Sequence, residues 1–419
     1  MTEKPKIIKR FFSALGPGLV AGAADDDPSG IATYSIAGAQ LGTSLLWMAW
    51  ITWPLMAAVQ MMCARIGMVT GQGLAGALGD KVPKSVLIIF CIALLIANTI
   101  NIAADLSGMA DAAELLTGFS SHIYVVLFGA GIGFAIVRFR YYQIANVLKW
   151  LALSLFAYVI TAFIIHPDWS LVAHQAFSLS IPKGKETWET IVAILGTTIS
   201  PYLFFWQAAQ EVEEEKAMGR RMRYRREGVT KIELMDRIMD VGAGTFLSNV
   251  VMFFIILTTA LTLNAHGLAN ITSSKEAAEA LRPLAGNLAM LLYTVGIVAV
   301  GLLAIPTLAG SAAYAFAETF NWAQGLDEKW KQAKSFYAVI ILSVLCGIGA
   351  DFLHVNPVSA LFWTAVINGL LAPFLLVGIL LVASDRKIML GQPSSRLSQI
   401  TVAITTLLMF AAAVGMFVV

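Results

Sequence analysis

Charge is scarce in this chain of 419 residues: Asp, Glu, Lys and Arg make up 13% of it and hydrophobic residues 58%, against a charged share of about 25% in soluble domains. That balance excludes an ordinary soluble fold and implies a polytopic membrane protein. Cysteine is scarcer still. Cys63, Cys91 and Cys346 lie in or beside apolar runs with no CxxC or CxxH spacing, which leaves neither a disulfide framework nor a zinc site. No HExxH, GxSxG, Walker or glycine-rich dinucleotide motif occurs in a proper context, so an enzyme is the least favoured reading and no cofactor is implied. A net charge of +2 points to no nucleic acid, and no obligate protein partner is evident. Residues 1–10 are polar and basic, without a small-residue cleavage site soon after the first apolar run. No cleaved signal peptide is expected.

Long apolar runs are what the chain does have. They fall at about 11–40, 44–64, 84–111, 122–137, 144–165, 188–212, 238–263, 285–318, 335–353, 357–383 and 398–418. Judged against about 20 residues per crossing, they predict eleven spans in one transmembrane domain covering 1–419. With the N-terminus cytoplasmic, 24 of the 28 lysines and arginines fall in inner segments; only Lys183, Lys185, Lys275 and Arg282 fall outside. That bias sets the N-terminus inside and the C-terminus outside, in an integral protein of a bacterial plasma membrane. The same map puts His122, His166, His174, His266 and His354 at or beyond the outer helix ends. None is left for a relay at membrane depth. The charged loop 213–237 is expected to hold a cytoplasmic helix near anionic headgroups, or else to be a solvated loop.

The first run is broken at Ala24-Asp25-Asp26-Asp27-Pro28-Ser29-Gly30. Hydrocarbon tolerates three carboxylates and a proline only where they line a cavity or are satisfied by protein. A helix broken at mid-membrane, with an acid at the break, is how secondary transporters build a cation site. A solvated loop between two short helices is the competing reading, and it suits less well flanks that are each about half a membrane thick. Asp27 is the principal candidate for contact with the ion. Successive helical residues point about 100° apart, so Asp25 and Asp26 do not face the same ion from a regular helix; Asp26 is a secondary candidate, or shapes the vestibule.

The sixth run carries a second break, Gly196-Thr197-Thr198-Ile199-Ser200-Pro201-Tyr202. Pro201 removes a backbone donor and frees carbonyls near Thr197. Interruptions at corresponding places in two halves point to an inverted repeat with a midplane site. The expected fold is all-α: a 5+5 inverted repeat (about 11–165 and about 188–383) with helices 1 and 6 broken, plus an eleventh helix at about 398–418.

At these breaks the chain resembles the NRAMP family of divalent-metal transporters, which share the LeuT-type fold. The likeness rests on Gly16-Pro17-Gly18, on Asp27-Pro28-Ser29-Gly30 where the family has Asp-Pro-Gly-Asn, and on Ser200-Pro201-Tyr202 where it has Met-Pro-His. In helix 3 it rests on Ala104-Asp105-Leu106. The resemblance implies a metal site formed by the Asp27 carboxylate, carbonyls near Ala24 and Thr197, the Thr197 or Ser200 hydroxyl, and water. Gly30 stands for the family's asparagine and Ser200 for its methionine. A thioether is a soft ligand, and its loss removes discrimination against hard Mg²⁺, an ion that keeps several waters. The family's proton route uses helix-3 acids and a helix-6 histidine. Here Asp105 is kept, but Gly108 and Tyr202 replace the second acid and the histidine, and tyrosine titrates near pH 10. This pattern resembles the NRAMP-related magnesium transporters, which implies Mg²⁺ as substrate, Mn²⁺ also carried, and no proton coupling.

Bland readings accompany the secondary candidates. Thr197 and Ser200 are equally suited to hydrogen bonds within their own helix. Asp105 is either a structural partner or a vestigial proton group, and Asn368 suits a helix–helix hydrogen bond. A proton-coupled Mn²⁺ or Fe²⁺ importer is the alternative function within the family, and a sodium-coupled symporter of an organic solute the alternative outside it.

Overall fold

The computed structural model describes residues 17–139, 153–353 and 355–418. Residues 144–152 of the expected fifth span, together with Gly16 and His354, lie outside the described residues. The described chain is helical. Its principal helices are α1 (Pro17–Asp25), α2 (Pro28–Leu41), α3 (Trp47–Thr70), α4 (Lys84–Thr117), α5 (Ser121–Arg138), α6 (Phe156–Ile164), α7 (Lys185–Thr198), α8 (Pro201–Ala217), α9 (Lys231–Thr262), α10 (Ala289–Phe320), α11 (Lys334–Asp351), α12 (Pro357–Ser384) and α13 (Arg396–Val418).

Among the described residues, eight stretches are long and apolar enough to cross a membrane, among them 185–217, which runs through the second break. The other three expected spans have physical reasons for missing that mark. The first is cut into α1 and α2 by its own acids. Helix α3 is 24 residues long, but Trp47, Trp50, Trp53, Gln60 and Arg65 dilute its hydropathy. Only the last part of the fifth span is described.

The two breaks share a local chemistry. Helix α2 starts with Pro28 at its first position, capped by Asp27, whose carboxylate accepts from the Gly30 N–H at 2.6 Å. Helix α8 starts with Pro201 behind Ser200. Proline at the first helical position loses only an N–H that had no intrahelical partner, and its fixed φ suits the helix. The same residue that ends one half-helix therefore begins the next.

Tight glycine contacts position the half-helices. A Cβ built on Gly22 of α1 lies 2.4 Å from the backbone of Gly244 in α9, and one on Gly196 of α7 lies 2.0 Å from the Ala365 carbonyl of α12. Small residues allow this close approach where lipid offers no hydrophobic drive for helix association. Gly22→Leu forces α1 off α9, and the expected result is a loss of at least about 1–3 kcal/mol, the usual cost of overpacking. Thermal unfolding of the purified protein measures it.

The charged loop 213–237 differs from the expected cytoplasmic helix. Only a short 3₁₀ turn, Arg223–Arg225, forms between α8 and α9. Thr230 and Glu233 then build a capping box that starts α9 at Lys231, seven residues before the apolar run. Beyond the end of α12, Lys81 bonds Asp385 at 2.6 Å. That bond, with the N–H groups of Lys387 and Ile388, holds the Asp385 carboxyl down at about 2.

Candidate metal site

The breaks in the two interrupted helices meet. The Tyr202 hydroxyl donates to the Ala24 carbonyl at 2.8 Å, tying the start of α8 to the end of α1. A Cβ on Gly30 would sit 3.1 Å from Thr197 Oγ1, 3.3 Å from the Asp25 carbonyl and 3.4 Å from Asp27 Oδ1. Glycine at position 30 is thus what lets the first turn of α2 lie against the end of α7.

Asp25, Asp26 and Asp27 are between 0% and 4% exposed, and Asp105 is 0% exposed. In this conformation the site is shut off from solvent. Among the described residues, no lysine, arginine or histidine forms an ion pair with any of the four. Buried carboxylates carry a heavy desolvation cost unless a cation or proton compensates them, so this region favours positive charge from outside the protein.

Each candidate has a defined place. Asp27 Oδ1 accepts from Gly30 N, and its Oδ2 accepts from Asn101 Nδ2 at 3.2 Å. Asp26 Oδ1 and Asp25 Oδ2 both face Ser248 Oγ of α9, at 3.1 and 2.6 Å. Ser200 Oγ lies 2.7 Å from both the Gly196 and Thr197 carbonyls, so its single proton is directed back into α7. Its lone pairs remain free, because a hydroxyl that donates its proton still accepts. The Ala24 carbonyl has one lone pair engaged by Tyr202 and a second left. Asp105 Oδ2 accepts from Asn101 at 3.1 Å, and Asn368 Nδ2 donates to Asn101 Oδ1 at 3.2 Å.

Asn101 and Ser248 are the residues that sequence reasoning missed. Asn101, one of two asparagines in the apolar α4, gave one signal, but two of its partners are 74 and 267 residues away in sequence. Among the described residues, no three His, Cys, Asp or Glu side chains form a group suited to hold a metal. The groups gathered here are carbonyls and hydroxyls beside the carboxylates.

Toward the C-terminal end of α8, Glu211 is buried. Arg237 Nε lies 2.8 Å from Glu211 Oε1, and the same guanidinium contacts Glu214 and Asp240. Asp240 Oδ2 also accepts from the Gly18 N–H at 2.7 Å. This cluster fastens the beginning of α1 to α8 and α9.

Comparison with known proteins gives the family and the fold. Residues 18–419 match the family described as natural resistance-associated macrophage protein-like, Nramp. The divalent metal cation transporter MntH of Yersinia pestis (strain Pestoides F) is 27% identical over 322 residues, which cover 74% of this chain and 74% of that relative. A crystal structure of the Eremococcus coleocola manganese transporter superimposes with a TM-score of 0.75 at 18% identity, covering 98% of this chain and 87% of that one. A sodium-coupled sialic acid symporter superimposes with a TM-score of 0.51 at 12% identity, covering 97% of both chains. These two likenesses concern the fold, which is of the LeuT type, with α1/α2 and α7/α8 as its broken helices.

Proposed function

The chain belongs to the Nramp family, and from that premise we propose that it carries divalent cations across the membrane, Mg²⁺ foremost and Mn²⁺ also, through a hydrated midplane site without proton coupling. The observation that carries this reading is the donor set at the meeting of the breaks. Asp27 offers the carboxylate, Ala24 and Thr197 offer carbonyls, and Thr197 and Ser200 offer hydroxyls. All are hard oxygen donors, and hard donors suit Mg²⁺ while a thioether suits softer ions. Gly30 keeps side-chain bulk away from the ion. We read residues 1–419 as one transporter domain with its N-terminus cytoplasmic and its C-terminus outside.

The absence of proton coupling is supported by Tyr202. Its hydroxyl is spent on the Ala24 carbonyl, and a phenol titrating near pH 10 is a poor relay at neutral pH. A second reading, a proton-coupled Mn²⁺ or Fe²⁺ importer, draws support from Asp105, which Asn101 connects to Asp27.

Ser200→Met tests the donor-set argument. Returning a thioether to the α8 start is expected to tighten Cd²⁺ and Mn²⁺ competition by about tenfold relative to Mg²⁺, the step that 1.4 kcal/mol of ligand preference gives. Uptake competition in proteoliposomes reads the ratio. An unchanged ratio removes the hard-donor explanation.

A further inference from the structure

We propose that Asn101 is a positioning residue that orients the Asp27 carboxylate and, by holding Asp105 and Asn368, sets their oxygens as a collar of acceptors for the water shell of the transported cation. The inference rests on the hydrated divalent cargo proposed above. It goes beyond that reading by assigning recognition of the cation's water to Asp105 of α4 and Asn368 of α12, both held in place by Asn101.

Hydrogen-bond chemistry fixes the arrangement. Asn101 Nδ2 lies 3.2 Å from Asp27 Oδ2 and 3.1 Å from Asp105 Oδ2. A carboxamide nitrogen has two hydrogens, one for each carboxylate. The flipped amide would set its oxygen against both acids, so only one orientation is tenable. Asn101 Oδ1 must then accept, and Asn368 Nδ2 supplies the donor at 3.2 Å. That bond in turn fixes Asn368. Asn101 and Asp105 are fully buried, and Asn368 is nearly so.

Two consequences follow. Asp27 is held from two sides, by Gly30 N on one oxygen and Asn101 on the other, and each oxygen keeps a lone pair for an ion or a water. Further, Asp105 Oδ1 and Asn368 Oδ1 are buried with no well-formed hydrogen bond to the protein, although the Ser29 backbone N–H faces the Asp105 carboxylate. Buried acceptors of this kind carry a desolvation cost unless a donor reaches them. The inner-sphere waters of Mg²⁺ direct their hydrogens outward and are the donors that fit. An amide also exchanges no proton at neutral pH, so it couples Asp27 to Asp105 by orientation alone. An ion that sheds more of its water, such as Mn²⁺, depends less on such a collar.

The test uses the full-length protein in liposomes, with Mg²⁺ and Mn²⁺ influx measured for wild type, Asn101→Leu and Asn368→Ala. Hexaamminecobalt(III) is the probe, because its inert ammine ligands present an outward shell of N–H donors like that of the magnesium hexahydrate. It is expected to inhibit the wild type. In both variants the Mg²⁺ KM is expected to rise about tenfold, the size of effect seen when outer partners of a metal ligand are removed. The Mn²⁺ KM should rise less, and hexaamminecobalt(III) inhibition should weaken in parallel with the Mg²⁺ KM. Equal rises for the two ions, unchanged KM values, or a wild type insensitive to hexaamminecobalt(III) overturns the collar. Should Asn101→Leu fail to fold, Asn368→Ala decides by the same readouts, since it leaves both Asp27 donors in place. A wild type with no Mg²⁺ influx contradicts the proposed function itself and is told apart by that result.

Discussion

Asp27→Asn is expected to lower Mg²⁺ influx by more than about a hundredfold, because losing an outer partner of a metal ligand already costs 10–100-fold and this change removes the charged ligand. The substitution isolates charge from fold. The new amide oxygen still accepts from Gly30 N, which caps α2, so the break keeps its geometry. The amide nitrogen meets Asn101 Nδ2 where Asp27 Oδ2 stood, donor against donor, which further weakens the site. The checks are influx in proteoliposomes beside gel filtration of the purified protein. A variant that elutes like the wild type and still carries Mg²⁺ at a comparable rate removes Asp27 from the ion's path.

The second large effect concerns stability. Arg237→Met is expected to destabilise the protein by about 3–5 kcal/mol, the usual cost of breaking a buried ion pair from one side. The guanidinium is 8% exposed, and its partners Glu211 and Asp240 are 1% and 0% exposed. Their charges have far less access to water than those of a surface pair, and losing the arginine removes the cation they share. Asp240 also holds the Gly18 N–H at the head of α1, so the loss loosens the first half of the first broken helix. Thermal unfolding in detergent measures the drop. Adding Glu211→Gln should recover part of it by removing one orphaned charge, whereas an unchanged or lower unfolding temperature in the double variant contradicts this electrostatic account.

The parts of the fold written in local chemistry were legible in the sequence. Asp27-Pro28 and Ser200-Pro201 place a cap and a first-turn proline side by side, and α2 and α8 begin at those prolines. The pairing of residues far apart was not legible. Nothing near Arg237 in sequence shows that it is buried against Glu211, because that contact depends on how α8 and α9 lie together. Ser200 shows the same limit at closer range. Both an ion-facing and a backbone-bonded hydroxyl suited its sequence; the structure has it donating to the Gly196 and Thr197 carbonyls with lone pairs to spare. In the 213–237 loop, a dense run of arginines suggested a helix, yet the Thr230–Glu233 capping box starts the next helix only at Lys231.

The most direct test of the central claim is Mg²⁺ influx into liposomes holding the purified protein, with an internal pH dye read in parallel. The account predicts saturable Mg²⁺ influx with no pH change, abolished in Asp27→Asn. Mn²⁺ influx accompanied by internal acidification, with no competition from Mg²⁺, contradicts it.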